Sequence, residues 1–354
     1  MGVAQKPSQV PLRQTYRKPT MKDVAEKAGV SITTVSHVVN GTRFVSADIT
    51  AKVEIAIDKL KFKVNPIARN LRSGKSHMIG FVVSNLENSF YVNIARGIEK
   101  TINAQGYQLI LIDSEEKKRK EIKNVESLYL RGVDGIIIAP TNTDCSYLDS
   151  LLPPRFPLVF VDRQPSNFPA DCLLLNNAAA GYEAIKYLIG KGHTRIGFIS
   201  FLFGDVDKTI MERLEGYRQA FREAGLAINE DYIKVVHGSS VAVTQLRHAE
   251  PYEIMKTLHK LHIEAVLCGN SLSAIGAFTY LKDTTVSIPK DIALITFDDD
   301  LWLSMTTPQI TAVVQPAEAM GAMAAGRLIK RIQGKKLPYK ALRLNADIIF
   351  RGSS

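Results

Sequence analysis

The chain has 354 residues, of which 45% are hydrophobic and 23% are charged, and its formal net charge is +10. This length exceeds a typical domain of about 100–200 residues and predicts two or three folded units. Residues 1–77 contain 14 Lys and Arg against 5 Asp and Glu, whereas residues 78–354 contain 31 against 30. The excess positive charge therefore belongs to the N-terminal part, as in a phosphate-binding module attached to a neutral body.

The three cysteines, Cys145, Cys172 and Cys268, are widely spaced and have no C-x-x-C pair or His cluster beside them. This pattern favours reduced, buried thiols over a disulfide framework or a zinc site. No signal peptide opens the sequence, and no apolar run approaches the roughly 18–20 residues of a membrane span. We therefore expect a soluble cytoplasmic protein that has neither a bound metal nor a membrane partner.

Residues 1–18 carry two prolines, three glutamines and four basic residues without periodicity, which predicts a flexible arm. The stretch from Thr20 to Val39 then predicts two short helices joined by a tight turn. Apolar residues recur at helical spacing in the first helix: Met21, Val24, Ala25 and Ala28. Gly29 is suited to end this helix in a left-handed conformation, and Ser31 is suited to cap the next one.

The second helix of this pair has two chemically different faces. Its inward face would carry three valines, which are Val35, Val38 and Val39. Its outward face would carry Ile32 and the polar residues Thr33, Ser36 and His37. Such a division predicts a helix-turn-helix that enters the major groove of DNA, with an ordinary helical hairpin as the alternative.

A third helix is predicted from Ala47 to Leu60, after the turn at Asn40-Gly41, with Ser46 as its N-cap. Its apolar residues at helical spacing would face the first two helices: Ile49, Val53, Ala56, Ile57 and Leu60.

The next segment, Asn65 to Gly74, predicts a short helix that is too short to be stable alone. Leu71 lies between Arg69 and Arg72, a combination that minor-groove proteins use to open a base step. A linker leucine packed on the body is the alternative explanation for Leu71.

From Met78 onward, continuous apolar runs alternate with amphipathic stretches. The strand-like runs form two series, MIGFVVS, YQLILID, VDGIIIA and FPLVFVD, then TRIGFIS, YIKVVHG, EAVLCGN and DIALITFDD. Helical stretches are predicted around 92–104, 121–130 and 147–152 in the first series. This alternation predicts an α/β fold with two doubly wound, parallel sheets.

Polar residues follow the predicted strands in both series, where open α/β sheets bind their ligands. The strand ends give the pairs Ser84-Asn85, Asp113-Ser114, Asp162-Arg163, Gly269-Asn270 and Asp298-Asp299. Nearby are the aromatic residues Phe90, Tyr91 and Trp302, and Arg213 on the helix after TRIGFIS. Taken together, these groups suit a small polyhydroxylated or heterocyclic ligand.

The sequence as a whole closely resembles the LacI/GalR family of bacterial repressors over about residues 18–351. The most specific match is TMKDVAEKAGVSITTVSHVVNG followed by VSADITAKVEIAIDKLKFKVNPIARNLRSGKSHMIG. Further matches in the same order are RGVDGIIIAP, GHTRIGFIS, RLEGYRQAF, IPKDIALITFDD and TTPQITAVVQP. The resemblance implies a DNA-reading headpiece, a hinge helix, and a two-subdomain core similar to periplasmic sugar-binding proteins.

The resemblance also implies roles for individual residues at matching positions. Base edges would be read by Ile32, Thr33 and His37, and Leu71 would enter the minor groove, flanked by Arg69 and Arg72. Phosphates would be bound by Ser31, Thr34, Ser36, Asn40 and Ser46, and Thr20 joins this DNA-contacting set. Family effector contacts match Asp162, Arg213, Asn270 and Asp298, to which Phe90, Tyr91, Arg163 and Trp302 are added as neighbours.

Two positions depart from the family pattern. Ile32 is apolar at the first reading position and would sense a thymine methyl group rather than form a hydrogen bond. Ser271 stands where an Asp usually follows the Asn, which puts one polar contact with the effector in doubt. Arg163 and Lys208 add cations near the predicted site, which favours a sugar acid such as gluconate, unless nearby acids pair with them.

Other classes of protein fit less well. The motifs G-x-G-x-x-G, G-x-x-x-x-G-K-[ST], G-x-S-x-G and H-E-x-x-H are absent from the sequence, so an enzyme has no support. A solute-binding protein would need no basic helix-turn-helix, and a purine-type, corepressor-dependent regulator is the nearer alternative. We expect a homodimeric, non-enzymatic repressor of carbohydrate genes that binds a palindromic operator and a small-molecule effector. Its predicted parts are an arm (1–18), a headpiece (19–64), a hinge (65–76) and a core (77–354).

Overall fold

The computed structural model describes residues 17, 19–63, 75–203, 208–238 and 249–354. The chain divides into two compact units, one ending at Ser76 and the other beginning at His77, and each is described by itself. The predicted hinge residues Arg69, Leu71 and Arg72 lie outside the described residues, as does nearly all of the predicted arm.

Three helices make up the described part of the first unit: α1 (Met21–Ala28), α2 (Ile32–Asn40) and α3 (Ala47–Leu60). Thr20 caps α1 through a reciprocal capping box with Asp23. Gly29 ends α1 in the left-handed conformation at φ 67°, and Ser31 accepts the N–H of Thr34 at 3.0 Å to cap α2. The helix end predicted at Gly29 and the N-cap predicted at Ser31 are confirmed, whereas Ser46 precedes α3 without forming a side-chain cap.

A small apolar core holds the three helices together. Val24, Ala25, Val35, Val53 and Ala56 are buried in it, and Phe62 after α3 completes it. Val38, Val39, Ile57 and Leu60 pack against it from partly buried positions. The inward faces predicted for the helices are therefore confirmed, except that Ile49 is half-buried outside this cluster.

The first sheet of the second unit has the strand order β11-β5-β4-β3-β1-β2 and is parallel throughout. Its strands are β1 (Met78–Val83), β2 (Gln108–Asp113), β3 (Gly135–Ile138), β4 (Leu158–Val161), β5 (Asp171–Leu175) and β11 (Ala341–Leu344). The helices along it are α4 (Ser89–Asn103), α5 (Lys118–Leu130), α6 (Leu148–Leu151) and α11 (Ala317–Ile332). We call this sheet with its helices the first lobe.

The second sheet repeats this order as β12-β10-β9-β8-β6-β7, with β12 as an antiparallel edge strand. Its strands are β6 (Ile196–Phe203), β7 (Ile233–Gly238), β8 (Ala265–Cys268), β9 (Ala293–Phe297), β10 (Thr311–Val314) and β12 (Asp347–Ile349). The helices along it are α7 (Asn177–Gly190), α8 (Lys208–Glu223), α9 (Ala249–Lys260) and α10 (Ser271–Asp283), with short 3-10 helices at Glu230–Tyr232 and Leu301–Ser304. We call it the second lobe, and the predicted α/β class is confirmed by both sheets.

The chain crosses between the lobes three times: after β5, after β10 and between β11 and β12. In each lobe, two helices approach closely through glycines. A Cβ on Gly97 of α4 would lie 2.0 Å from the carbonyl oxygen of Glu318 in α11, and one on Gly216 of α8 would lie 2.0 Å from that of Ala178 in α7. The two lobes therefore share both their strand order and their manner of helix packing.

Most of the buried apolar residues pack between the two sheets and the helices that lie along them. Cys145, Cys172 and Cys268 are free and buried, and burial raises the pKa of each thiol. Within the described ranges, no helix combines the length and apolar character needed to cross a membrane.

Candidate functional site

The outward face of α2 presents side chains that are not needed by the headpiece core. Ile32 is 49% exposed and Thr33 is also exposed, so both can meet base edges at the start of the helix. His37 is half-buried, and its Nδ1 lies 2.8 Å from the Thr42 hydroxyl. This contact orients the ring at the far end of the same face, where the resemblance places the third reading residue.

The residues predicted to bind phosphates surround this face and already bond to one another. The hydroxyls of Ser31 and Thr34 lie 2.8 Å apart, and the Asn40 amide donates to the Ser36 carbonyl at 2.8 Å. Thr20 donates its hydroxyl to Asp23 at 2.7 Å and is exposed. Ser46 is exposed before α3. Thr20, Ser31, Thr34 and Ser46 lie at the N-terminal ends of helices, where phosphates are favourably bound, whereas Ser36, His37 and Asn40 lie toward the C-terminal end of α2.

The second unit contains a cavity where the carboxyl ends of the two sheets meet. Seven of the eight predicted effector residues line it: Phe90, Tyr91, Asp162, Arg163, Arg213, Asn270 and Asp298. The eighth, Trp302, is not among the lining residues. The 3-10 helix at Leu301–Ser304 turns its ring toward Phe278, with centroids 5.6 Å apart.

The first lobe contributes Asp162 immediately after β4. Asp162 adopts a left-handed backbone conformation at φ 69°, and its N–H donates to the Leu173 carbonyl at 2.8 Å. The Tyr91 hydroxyl donates to its carboxylate at 2.8 Å, and burial raises the pKa of Tyr91. Because Tyr91 remains protonated, its hydroxyl donates to the Asp162 carboxylate and keeps that oxygen in place.

Arg163, the next residue, forms a buried ion pair with Glu116. The guanidinium donates to both carboxylate oxygens of Glu116, at 2.8 Å and 3.1 Å, and to the Pro140 carbonyl at 3.2 Å. The preference for a sugar acid depended on a surplus of cations, and this pairing removes that surplus. Asp299, an acid near the predicted site, pairs with Arg351, and Lys208 is exposed outside the cavity.

The second lobe contributes Arg213 from α8, which is buried and held by neutral oxygens. Its guanidinium donates to Asn177 Oδ1 at 2.8 Å, to the Gly269 carbonyl at 2.5 Å and to Gln315 Oε1 at 3.3 Å. It also lies 4.0 Å from the centroid of the Phe297 ring. Asn177 and Gln315 belong to two of the segments that cross between the lobes, so this arginine contacts both segments.

Asp298 follows β9 as Asp162 follows β4, with the same left-handed backbone at φ 70°. Gln315 donates its amide to the Asp298 carboxylate at 2.6 Å. Burial raises the pKa of Asp298, while the charge of Arg213 and the bond from Gln315 oppose that rise. A ligand hydroxyl that donates to Asp298 would replace part of the lost solvation.

Asn270 begins α10 and also caps it. Its Oδ1 accepts the Ser273 N–H at 3.0 Å and its amide donates to the Phe201 carbonyl at 3.3 Å. Ser271, which departs from the family pattern, donates its hydroxyl to the carboxylate of Asp300. Ser89 from the first lobe donates to the other oxygen of the same carboxylate.

Two further cavity residues, Glu116 and Gln315, were not predicted from the sequence. Glu116 binds the predicted residue Arg163, and Gln315 binds the predicted residues Arg213 and Asp298. Glu116 lies three residues beyond β2, and Gln315 directly follows β10, a strand that was not predicted. The signal that would have found both is a polar residue shortly after the end of a strand, here β2 and β10. Within the described residues, no group of His, Cys, Asp or Glu side chains is arranged to hold a metal ion.

A helix-turn-helix unit together with a two-sheet core that encloses a polar cavity defines a ligand-responsive, DNA-binding transcriptional regulator. Comparisons with known proteins identify its family. Residues 20–65 match the model of bacterial regulatory proteins of the lacI family, and residues 185–354 match a periplasmic binding protein-like domain. The chain is 37% identical to the ribose operon repressor of Escherichia coli (strain K12), over 95% of this chain and 99% of that protein. It therefore belongs to the LacI family and is a regulator rather than an enzyme.

Solved structures share the fold of this chain. A LacI family transcriptional regulator from Enterococcus faecium with bound ribose has a TM-score of 0.67 at 25% identity, covering 78% of this chain and 98% of that one. The lac repressor dimer bound to operator and an anti-inducer has a TM-score of 0.81 at 22% identity, covering 95% of this chain and 99% of that one.

Proposed function

We propose that this regulator is a cytoplasmic repressor of carbohydrate genes whose effector is a small, uncharged sugar, with a pentose such as ribose as the first candidate. The observation that carries the proposal is the charge balance of the cavity. Among the described residues, its lining has three carboxylates, Glu116, Asp162 and Asp298, against the two guanidiniums of Arg163 and Arg213. A net negative lining repels a sugar acid, whereas carboxylates and amides arranged around a cavity suit hydroxyl groups.

The remaining lining fits a sugar ring. Phe90 is 4% exposed and lies beside Tyr91, with ring centroids 5.3 Å apart, and offers an apolar face to the C–H side of a ring. Asp162 and Asp298 come from opposite lobes and can each accept a hydroxyl, and Asn270 can both donate and accept. The ribose named for the E. coli and E. faecium relatives supports this size of ligand.

On the DNA side, we propose that a homodimer binds a palindromic operator through α2, because two identical helices read two-fold related half-sites. Thr33 and His37 would read one base pair each. Sugar binding between the lobes would alter DNA affinity by the sugar's differential affinity for the two core conformations, typically about 1–3 kcal/mol.

Calorimetry with D-ribose, gluconate, cellobiose and a purine base tests the effector, and operator binding with and without the bound ligand tests the response. We expect D-ribose to bind more tightly than gluconate and to change operator affinity. Tight binding of the purine base, or of gluconate alone, would contradict the proposed effector. Thr33→Ala and His37→Ala should each relax preference at one operator base pair, at a cost of about 1–3 kcal/mol.

A further inference from the structure

Glu116 lines the cavity at a place where the chain bends unusually. Glu115 and Glu116 are consecutive and both adopt left-handed backbone conformations, at φ 51° and φ 54°. Residues with a Cβ seldom occupy this region, and two in succession must be held there by their surroundings. The N–H of Glu116 donates to the Ser84 carbonyl at 2.7 Å, which fixes the turn to the end of β1.

This backbone gives the two neighbouring glutamates opposite environments. The side chain of Glu115 is 49% exposed and pairs with Lys117 and Lys120. The side chain of Glu116 is 6% exposed and pairs with Arg163, whose side chain is 9% exposed. One carboxylate therefore points to solvent, while its neighbour lies against the cation of the cavity.

A guanidinium next to a sugar cavity is a ready binding group for an anion, because its fork matches two oxygens of a carboxylate or phosphate. In this chain both positions of the Arg163 fork that face Glu116 are already filled by the protein's own carboxylate. An anionic ligand would have to displace Glu116 into a buried site without a cation, which is strongly unfavourable. An uncharged sugar meets no such penalty.

We infer that Glu116 determines the charge specificity of the effector site, so that the site accepts uncharged sugars and rejects sugar acids and sugar phosphates. This inference rests on the proposed sugar-binding function and names the residue responsible for its selectivity. Glu116 acts by occupying Arg163 and by adding a negative charge to the lining, which is discrimination by repulsion of the wrong ligand.

The test measures the affinity of the full chain for D-ribose, D-ribonate, D-ribose 5-phosphate and inorganic phosphate. Glu116→Gln removes the charge but retains the shape and one acceptor for Arg163. We expect this variant to gain affinity for the anions by about tenfold or more relative to D-ribose, since a unit charge at this range is only partly screened. Glu115→Gln is the matched control, because it removes an adjacent carboxylate with the same backbone conformation outside the cavity.

Glu116→Asp provides the second control, because it keeps the charge while changing the length, and it should continue to exclude anions. Glu116→Gln should melt at a lower temperature than the wild type, and binding is measured below that transition. Added phosphate should raise the melting temperature of Glu116→Gln more than that of Glu115→Gln.

Unchanged anion affinity in Glu116→Gln would overturn the inference even if D-ribose binds the wild type as proposed. If the wild type does not bind D-ribose, only the proposed effector is contradicted. The gain of anion affinity in Glu116→Gln is measured separately and still tests the inference. Equal gains in the Glu115→Gln control would show that overall charge, rather than this residue, is responsible.

Discussion

The two lobes each have an aspartate after the equivalent strand, but the arginine that lines the cavity in each lobe has different partners. Asp162 follows β4 and Asp298 follows β9, which are equivalent strands of the two sheets, and both have φ near 70°. In the first lobe the cation beside the aspartate is matched by a buried carboxylate. In the second lobe the cation, Arg213, is held by amide and carbonyl oxygens.

The two arginines therefore have different roles in two lobes of the same topology. An arginine paired with a buried glutamate contributes to holding its own lobe together, because either charge alone would be costly to bury. Arg213 donates to amide and carbonyl oxygens, and its charge opposes the rise that burial causes in the pKa of Asp298. The first lobe therefore balances its arginine with a buried carboxylate, whereas the second lobe holds its arginine through hydrogen bonds to amide and carbonyl oxygens.

Removal of each arginine gives the sharpest comparison. Arg163→Gln should lower the free energy of unfolding by about 3–5 kcal/mol, because it leaves Glu116 buried without its cation. Arg213→Gln should lower it by less, about 1–3 kcal/mol, and should mainly abolish sugar binding. Urea unfolding followed by the fluorescence of Trp302, the only tryptophan, reports the core directly.

The double variant Glu116→Gln/Arg163→Gln should recover part of the stability lost in Arg163→Gln, because no charge is then left unpaired. Equal decreases in the free energy of unfolding for Arg163→Gln and Arg213→Gln would contradict the different roles assigned to the two arginines.

The shared helix packing gives the next largest effect. Gly97→Ala in the first lobe and Gly216→Ala in the second should each lower stability by about 2–3 kcal/mol, since the added methyl would meet a backbone oxygen. Gly326→Ala in α11 is the control, because a Cβ there meets no atom within 4 Å. That control should be neutral or stabilising by up to about 1 kcal/mol. A large loss in only one lobe would show that the two helix pairs are not equivalent.

Buried carboxyls in the two lobes should give stability the same dependence on pH. Burial raises the pKa of Asp298 in the second lobe and of Glu121 in the first, where Tyr147 donates to Glu121 at 2.6 Å. The folded state then holds these protons to a higher pH than the unfolded chain does. The stabilisation is complete below the unfolded pKa near 4 and is lost as pH rises through the folded pKa.

The measurement compares the wild type with Asp298→Asn and with Glu121→Gln across pH 4–7. The wild type should lose stability relative to each variant as pH rises, by about 1.4 kcal/mol per unit of pKa elevation. A wild type that gains stability relative to Asp298→Asn over this range would contradict the assigned direction.

Local chemistry explains which parts of this molecule could be predicted from sequence. The cap at Ser31, the left-handed Gly29 and the span Ala47–Leu60 depend on neighbours a few residues away, so their pattern is visible in the sequence. The first four strands of each series are long enough apolar runs to be recognised. Four short strands were missed, β5, β10, β11 and β12, and of these β11 and β12 alternate in exposure instead of forming a continuous apolar run.

The cavity was only partly predictable, because its selectivity depends on contacts between distant segments. Arg163 meets Glu116 across 47 positions, and Arg213 meets Gln315 across 102. Trp302 is close to Asp298 in sequence, but the intervening 3-10 helix turns it away from the cavity. The expectation that Trp302 lines the cavity rested on its closeness to Asp298 in sequence and was wrong, and no local sequence pattern would have corrected it.

The smallest expected effect concerns Asp300, a carboxylate that accepts hydrogen bonds from serines of both lobes. Ser89 donates to Asp300 from the first lobe, while Ser271 donates to it from within the second lobe. Ser89→Ala removes a hydrogen bond between lobes and should favour their separation by about 1 kcal/mol, which lowers apparent sugar affinity about fivefold. Ser271→Ala removes a bond of the same chemistry inside one lobe and should reduce sugar affinity less. Titration of both variants with D-ribose decides the point. Equal losses would mean that the position of the Asp300 loop, rather than the contact between lobes, controls affinity.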